Sequence, residues 1–297
     1  MRGVIAWSLL LVACRDAPVS TAVSAPIQSA APDASPQRSV EDASIEDAST
    51  EDGSVRSIVV PSHEAEWCIA GLAALDDETC VVVPPARDRP IREVLFYFHG
   101  ITPPLKESAQ KTTVQTTVKN ASLRAGVIGV VPRGRRGIGP SDAKDWWAWP
   151  TSPDAHAKLA REIVDAMKRV KARLEALAGA PFERTYLAGS SNGAYFLTAL
   201  ALRGDLERFG FAVDGLGAMS GGATGGVPAS ALADKKAIPI YVGYGAHDDD
   251  SKKNVVGLVT LLETARWPHR RSEHPVGHGA REVYLDEAFA FFRSPRN

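Results

Sequence analysis

A serine in a glycine-flanked pentapeptide constrains the fold of this chain more than any other feature. Residues 189–193 read GSSNG; they follow the apolar run 185–188 and precede an apolar helical stretch, residues 194–202. A strand that turns sharply into a helix here would lift the Ser191 hydroxyl clear of the sheet edge. The flanking glycines let neighbouring backbone approach where a Cβ atom would clash. The alternative is a glycine-rich turn with an incidental serine.

Apolar runs alternate with helical segments from residue 58 onward. Runs without polar alternation are typical of strands buried on both faces. The clearest helix follows Pro153, with Asp154 as its expected cap, and ends at Gly179. The alternation predicts an α/β fold, a mainly parallel twisted sheet with helices on both faces. Only residues 221–237 separate the last two long strands, so we expect no large cap domain. The predicted strands are residues 80–83, 94–98, 127–131, 185–188, 215–219 and 238–242.

Two polar residues lie downstream of Ser191, one just after a predicted strand and the other in a predicted turn. Asp248 is the first acid after the strand at residues 238–242, and His278 lies in a GHG turn before the last helix. Parallel sheets collect their sites at the carboxyl ends of the strands, so we expect the three side chains to meet there. A serine hydroxyl is a weak nucleophile that needs such a base, and a carboxylate would orient the base.

Neighbouring residues leave alternatives for the acid and the base. Asp249 and Asp250 follow the predicted acid immediately, and His274 precedes the predicted base in a segment, residues 270–275, that reads as a strand. Residues 247–250 would also suit a metal ion, although a loop with local capping roles accounts for the same residues. We expect no metal and no cofactor.

The order of these residues resembles that of an α/β-hydrolase, in which Ser, Asp and His follow one another along the chain. The resemblance runs from about Trp67 to the end and is carried by residues 189–193, the turn at residues 99–100, Asp248 and His278. The layout is similar to that of secreted esterases of the feruloyl-esterase and polyhydroxybutyrate-depolymerase kind. The resemblance implies a catalytic Ser-His-Asp triad.

The resemblance also implies further site residues. The backbone amides of Asn192 and Ile101 would form the oxyanion hole. His99 and Gly100, in the same turn as Ile101, are expected to bind substrate.

Two clusters lie on the connection between the third and fourth predicted strands. Trp146 and Trp147, with Trp149 nearby, are expected to offer an aromatic platform for substrate; the alternative is packing of a long loop. Residues 133–136 hold three arginines, which would either attract an anionic substrate or be a solvated loop.

The amino terminus predicts export. Residues 3–13 are apolar but too short to span a bilayer, which suits a signal peptide over residues 1–13. The tetrapeptide LVAC resembles a bacterial lipobox and implies lipidation of Cys14. Residues 14–57 are then an anchored, disordered acidic tether, and residues 58–297 form the hydrolase domain. The expected location is the bacterial cell envelope, as a lipoprotein of the outer membrane or cell surface; the alternative is secretion.

In such an oxidising compartment, Cys68 and Cys80 are expected to form a disulfide between the first two strands; two buried thiols are the alternative. The formal net charge of −1 gives no reason to expect nucleic acid as a partner.

These features favour an envelope-anchored serine hydrolase that cleaves carboxylic esters through an acyl-enzyme. An open site would suit bulky or polymeric esters, and the lipid anchor makes the membrane a partner. The alternatives are a serine peptidase on the same fold and a non-catalytic binding lipoprotein on a hydrolase scaffold.

Overall fold

The computed structural model describes residues 58–61, 63–85 and 90–295. The expected signal peptide, the lipidated Cys14 and the acidic tether lie outside these residues and stay predictions. Among the helices described, none is long and apolar enough to cross a bilayer.

The centre of the fold is an eight-stranded sheet with the order β1-β2-β4-β3-β5-β6-β7-β8. β2 pairs antiparallel with β1 and β4, and every other neighbouring pair is parallel. The strands are β1 (Ala73–Asp76), β2 (Thr79–Val82), β3 (Glu93–Phe98), β4 (Ile128–Pro132), β5 (Arg184–Ser190), β6 (Gly215–Met219), β7 (Ile240–Gly245) and β8 (His269–His274). The predicted α/β class with a mainly parallel sheet is confirmed.

Strands β3 and β5 are neighbours in the sheet. From β3 the chain continues to β4, next to β3 on its other edge, and from β5 it continues to β6 in the opposite direction. The connections therefore diverge at the carboxyl ends of β3 and β5, which is where open parallel sheets form their binding crevices. The Gly100 turn follows β3 and Ser191 follows β5. The topology alone thus brings these two segments together.

Helices cover both faces of the sheet. Alternate residues of β3 point to opposite faces: Phe96 packs in a core with α2, α3 and α5, and Leu95 packs in a second core with α1 and α6. The helices are α1 (Ala109–Ala125), α2 (Pro153–Ala178), α3 (Asn192–Leu202), the short α4 (Asp205–Arg208), α5 (Asp249–Thr264) and α6 (Glu282–Arg293). Between β6 and β7 the chain forms only a 3₁₀ turn, Ala229–Leu232, so the expectation of no large cap domain is confirmed.

Two local predictions differ from the structure. Ser152, not Asp154, caps α2: its side chain accepts a hydrogen bond from the amide of Ala155, and Pro153 occupies the first helical turn, where its missing N–H costs nothing. Strand β1 was not among the predicted strands, because its sequence AALD has little preference for extended structure.

The predicted disulfide between Cys68 and Cys80 is confirmed, although Cys68 precedes β1 instead of lying in a strand. The bond fastens the segment before β1 to β2. Trp67, beside the disulfide, is fully buried; its indole N–H donates to the Val131 carbonyl at 3.0 Å, and its ring lies 5.0 Å from the ring of His99. The disulfide segment therefore packs directly behind the turn that follows β3.

Candidate active site

Ser191 occupies a sharp turn between β5 and α3 with a backbone conformation that side chains rarely adopt, φ 50° and ψ −121°. Strain of this kind persists only where the surroundings enforce it. The Ser191 amide donates to the Met219 carbonyl at 2.9 Å. A Cβ atom at Gly193 would lie 2.2 Å from the carbonyl oxygen of Phe98, and one at Gly189 would lie 2.9 Å from the same oxygen. Only glycine permits this approach, so the GSSNG turn is built against the end of β3.

The structure brings Asp248 and His278 together. Nδ1 of His278 lies 3.0 Å from both carboxylate oxygens of Asp248. Asp248 is buried at the amino terminus of α5, where Ser251 donates its hydroxyl to Oδ2 at 2.5 Å and its amide to Oδ1 at 3.3 Å. Burial alone would raise the pKa of Asp248, but the hydrogen bonds from Ser251 and His278 outweigh it and hold the pKa below its usual value. The carboxylate is therefore ionised and can accept a hydrogen bond from Nδ1 of His278.

The competing residues lie elsewhere. Asp249 and Asp250 are exposed in the first turn of α5. His274 ends β8, and its Nε2 lies 3.3 Å from a carboxylate oxygen of Glu287. Among the residues of known placement, no group of three or more His, Cys, Asp or Glu side chains could hold a metal ion.

A chain of backbone contacts puts the His278 turn at the same sheet edge as Ser191. Ser220 directly follows β6, and its hydroxyl donates to the Gly279 carbonyl at 3.1 Å. The preceding residue, Met219, accepts the amide of Ser191, and a Cβ atom at Gly221 would lie 2.8 Å from the Ser191 carbonyl oxygen. The Ser191 hydroxyl forms no hydrogen bond with any residue that the structure describes. Such bonds are often long in free enzymes and tighten when substrate binds.

The turn after β3 packs against the serine from the opposite side. A Cβ atom at Gly100 would lie 3.2 Å from Cβ and 3.7 Å from Oγ of Ser191. Thr102 and Trp147 exchange backbone hydrogen bonds of 3.0 and 2.9 Å, which hold the turn in place. Within the described chain, neither the Ile101 amide nor the Asn192 amide donates to another residue. The Asn192 amide is one of the unpaired N–H groups at the start of α3.

The orientation of the Ile101 amide follows from its own peptide unit. The carbonyl of that unit belongs to Gly100, and it accepts hydrogen bonds from Nδ1 of His99 and from the Thr102 hydroxyl, the latter at 3.1 Å. In a trans peptide the carbonyl and the N–H point in opposite directions. Because the carbonyl faces the buried His99 and Thr102, the Ile101 N–H points away from them.

His99 is fully buried, and both ring nitrogens are occupied within the fold. Its Nε2 accepts the Gly134 amide at 2.9 Å, so the proton resides on Nδ1, which donates to the Gly100 carbonyl. Burial lowers the pKa of His99 to about 4, so the ring is neutral near pH 7. This placement does not fit the expected contact with substrate, because the side chain faces the protein interior. Gly100, in contrast, borders Ser191 as expected.

The tryptophans do not form one platform. Trp146 is 36% exposed, whereas Trp147 is buried and packs edge-on against Trp67 at 5.2 Å, so the expected contact of Trp147 with substrate does not fit either. Trp149 is buried as well. Only Trp146 has a surface that a ligand could reach.

The arginine cluster is paired internally. Arg133 and Arg135 each donate to one carboxylate oxygen of Glu78, at 2.7 and 2.6 Å, and Arg135 also contacts Glu162 at 3.3 Å. Arg136 donates to the backbone carbonyl of Asp145. Two of the three cations are therefore neutralised within the fold, which leaves little reason to expect an anionic substrate here.

Solved structures share this architecture. A carboxylesterase from Mesorhizobium loti is 20% identical with a TM-score of 0.51; the match covers 76% of this chain and 100% of that one. Esterase PE8 is 19% identical with a TM-score of 0.50, covering 72% of this chain and 96% of the other. Esterase Est22 is 15% identical with a TM-score of 0.50, covering 72% and 75%. No family model and no curated protein sequence matches the chain. The chain has the α/β-hydrolase fold.

The burial of neutral His99 predicts a pH-dependent stability. A folded-state pKa of about 4 lies below the ordinary value of about 6.5, so the unfolded chain binds the proton more readily. The stabilisation that neutral His99 provides is present above pH 6.5 and is lost as the pH falls through 4. The free energy of unfolding should therefore fall by about 3 kcal/mol between pH 7 and pH 4. Urea unfolding across this range should show the loss in wild type and a smaller one in His99→Asn. Equal pH dependence in both proteins would contradict the assignment.

Proposed function

We propose that the protein is a serine hydrolase that cleaves carboxylic esters through an acyl-enzyme. The observation that carries the proposal is the buried, ionised Asp248 paired with His278, at the sheet edge where Ser191 sits on a strained turn. A hydrogen-bonded acid and base at the same sheet edge as a serine in this conformation are the parts that serine hydrolysis requires. The three fold neighbours named above are esterases, which agrees with an ester as substrate.

The first half of the reaction acylates the serine. The Ser191 hydroxyl attacks the ester carbonyl carbon, and Nε2 of His278 takes the hydroxyl proton as the new C–O bond forms. Asp248 keeps the proton of His278 on Nδ1 and stabilises the imidazolium. His278 then returns a proton to the alkoxide leaving group, the bond to the alcohol breaks, and the acyl group remains on Ser191.

The second half releases the acid. His278 takes a proton from a water molecule, the hydroxide attacks the acyl carbonyl, and the proton passes to Ser191 as its ester bond breaks. In both halves the carbonyl oxygen becomes an oxyanion. The amides of Asn192 and Ile101 would donate to it, a contribution of roughly 3 kcal/mol for each donor in comparable enzymes. The position of the Asn192 amide at the start of α3 adds the positive end of the helix dipole.

The residues around the site favour a substrate that stays mostly outside the protein. The connection between β6 and β7, residues 220–239, holds a single 3₁₀ turn, and Trp146 is the exposed aromatic on the segment that pairs with the turn after β3. We therefore favour bulky or polymeric esters, whose reacting group alone enters the site, with Trp146 as a contact for an apolar part of the substrate.

We further propose that the protein is anchored in the bacterial cell envelope through a lipidated Cys14. The basis is the short apolar segment closed by LVAC, and the disulfide of the folded domain suits an oxidising compartment.

The first prediction concerns the nucleophile. A fluorophosphonate probe should label Ser191 in the purified full chain, because an ordinary serine hydroxyl does not react. Ser191→Ala should abolish labelling and ester turnover, and Ser190→Ala, a change at the buried neighbouring serine, should retain both. A panel of chromogenic esters of graded acyl length, run beside peptide substrates, would identify the preferred class. Wild-type protein that takes no label would rule out a serine hydrolase and favour a non-catalytic binding role; peptide turnover above ester turnover would favour a peptidase.

The second prediction separates the three consecutive acids. Asp248→Asn should lower kcat by up to about 10⁴-fold, the loss measured when the equivalent carboxylate of another serine hydrolase is replaced. Asp249→Asn and Asp250→Asn provide matched controls on the same turn and should stay near wild type, because their exposed side chains do not contact His278. Sensitivity at either of these positions, with an active Asp248→Asn, would reassign the acid.

The third prediction concerns location. The wild-type precursor, expressed in a bacterium, should partition with membranes and carry acyl chains on Cys14, and Cys14→Ser should lose both properties. Mass spectrometry of the mature amino terminus provides the test. An unmodified terminus at any residue after Cys14 would show that the protein is secreted instead.

A further inference from the structure

We infer that Trp149 is a positioning residue that holds the two halves of the oxyanion hole at a fixed separation. The inference rests on the proposed function, since it concerns the geometry of that same site. Trp149 lies on neither the turn after β3 nor the serine turn, but it forms hydrogen bonds to both.

The indole of Trp149 fixes the half of the oxyanion hole that contains the Ile101 amide. Its Nε1–H donates to the His99 carbonyl at 3.0 Å. That carbonyl shares a peptide unit with the Gly100 amide, directly before the unit that contains the Ile101 amide. Because glycine has unusual backbone freedom, the turn needs an external restraint on each side of Gly100. The indole supplies the restraint before Gly100, and the Thr102–Trp147 backbone pair supplies the one after it.

The backbone of Trp149 fixes the half of the oxyanion hole that contains the Asn192 amide. Its amide donates to Oδ1 of Asn192 at 2.6 Å, and its carbonyl accepts Nδ2 of the same side chain at 3.3 Å. Nδ2 also lies 3.4 Å from the Thr151 hydroxyl. Two bonds between one amide side chain and one backbone residue prevent rotation of Asn192, whose own N–H is the other proposed oxyanion donor.

Packing holds Trp149 itself in place. The residue is 2% exposed, and its ring centroid lies 4.4 Å from that of Phe98, the last residue of β3. On the α3 side the ring stacks on Phe196 at 6.1 Å with an interplanar angle of 13°. The indole therefore lies between the strand that leads into the turn with one donor, Ile101, and the helix that begins with the other donor, Asn192. Effective donors lie about 2.7–3.1 Å from the position of the oxyanion, so the placement of the indole bears directly on the rate.

The test replaces Trp149 with Phe, which keeps an aromatic ring and removes the indole N–H. Trp267→Phe is the matched control: Trp267 is 3% exposed and also donates its indole N–H to a backbone carbonyl, that of Ile238, but at the amino end of the sheet, away from the site. Both changes remove one buried indole hydrogen bond, so they should cost similar stability.

For Trp149→Phe we expect kcat on a chromogenic ester to fall at least tenfold, while KM changes less than threefold, because a misplaced donor weakens the transition state more than the bound substrate. The inhibition constant of an alkylboronic acid, which forms a tetrahedral adduct on serine, should rise by the same factor as kcat/KM falls. Trp267→Phe should match wild type in both measurements. A Trp149→Phe enzyme with kcat within twofold of Trp267→Phe would overturn the inference.

A second measurement does not depend on activity. Backbone ¹⁵N relaxation should give lower order parameters for Gly100 and Ile101 in Trp149→Phe than in wild type or Trp267→Phe. Unchanged order parameters would overturn the positioning role even if kcat fell. If wild-type protein cleaves no ester, the proposed function fails, and this measurement alone decides whether Trp149 positions the turn.

Discussion

The close approach of the Gly193 backbone to the Phe98 carbonyl, at a distance that excludes a Cβ atom, sets the geometry of the whole site. It forces α3 to start directly over the end of β3, so the serine turn and the Gly100 turn share one edge. The same crossing leaves Ser191 with a positive φ, a conformation that costs of order 1–3 kcal/mol. The hydrogen bond from Ser191 to Met219 and the first turn of α3 stabilise that conformation from either side.

Two ionisable side chains near this edge illustrate how environment decides their charge. Asp248 is buried but receives three hydrogen-bond donors, so its charged form is stabilised. His99 is buried, and burial favours its neutral form despite the hydrogen bond that its Nδ1 donates to the Gly100 carbonyl. The charged Asp248 is bonded to His278, the proposed base, and the neutral His99 holds the peptide unit of Gly100. Burial opposes the charged form of both groups; the donors around Asp248 overcome this effect, and the partners of His99 do not.

Much of this arrangement could be predicted from the sequence, because it depends on local patterns. The apolar runs specify the parallel sheet, the GSSNG string between strand and helix specifies the sharp turn, and two cysteines in a segment expected to be exported specify the disulfide. The order of Asp248 and His278 after Ser191 could be recognised for the same reason. A serine three residues after Asp248 was a further local signal, since an acid at a helix start commonly caps the amide there, but the role of Ser251 was not predicted.

The remaining features depend on which way a side chain points after distant segments meet. The direction of the His99 ring is set by Gly134 and by the rings of Trp67 and Trp149, all far away in the chain. The separation of Trp146 from Trp147 depends on the backbone pair that Trp147 forms with Thr102. The link between Trp149 and Asn192 spans 43 positions. No periodicity in a single sequence encodes such contacts. Residue type alone therefore suggested a platform of tryptophans for substrate, whereas in the fold two of the three tryptophans are buried.

The disulfide segment links the maturation of the protein to its site. Cys68 holds Trp67 in the layer behind the turn after β3, where its ring meets those of His99 and Trp147. A chain that has not yet reached an oxidising compartment lacks this covalent restraint on the segment that packs against the Gly100 turn. Under the proposed envelope location, this restraint would form only after export, and the packing against the Gly100 turn would be completed there.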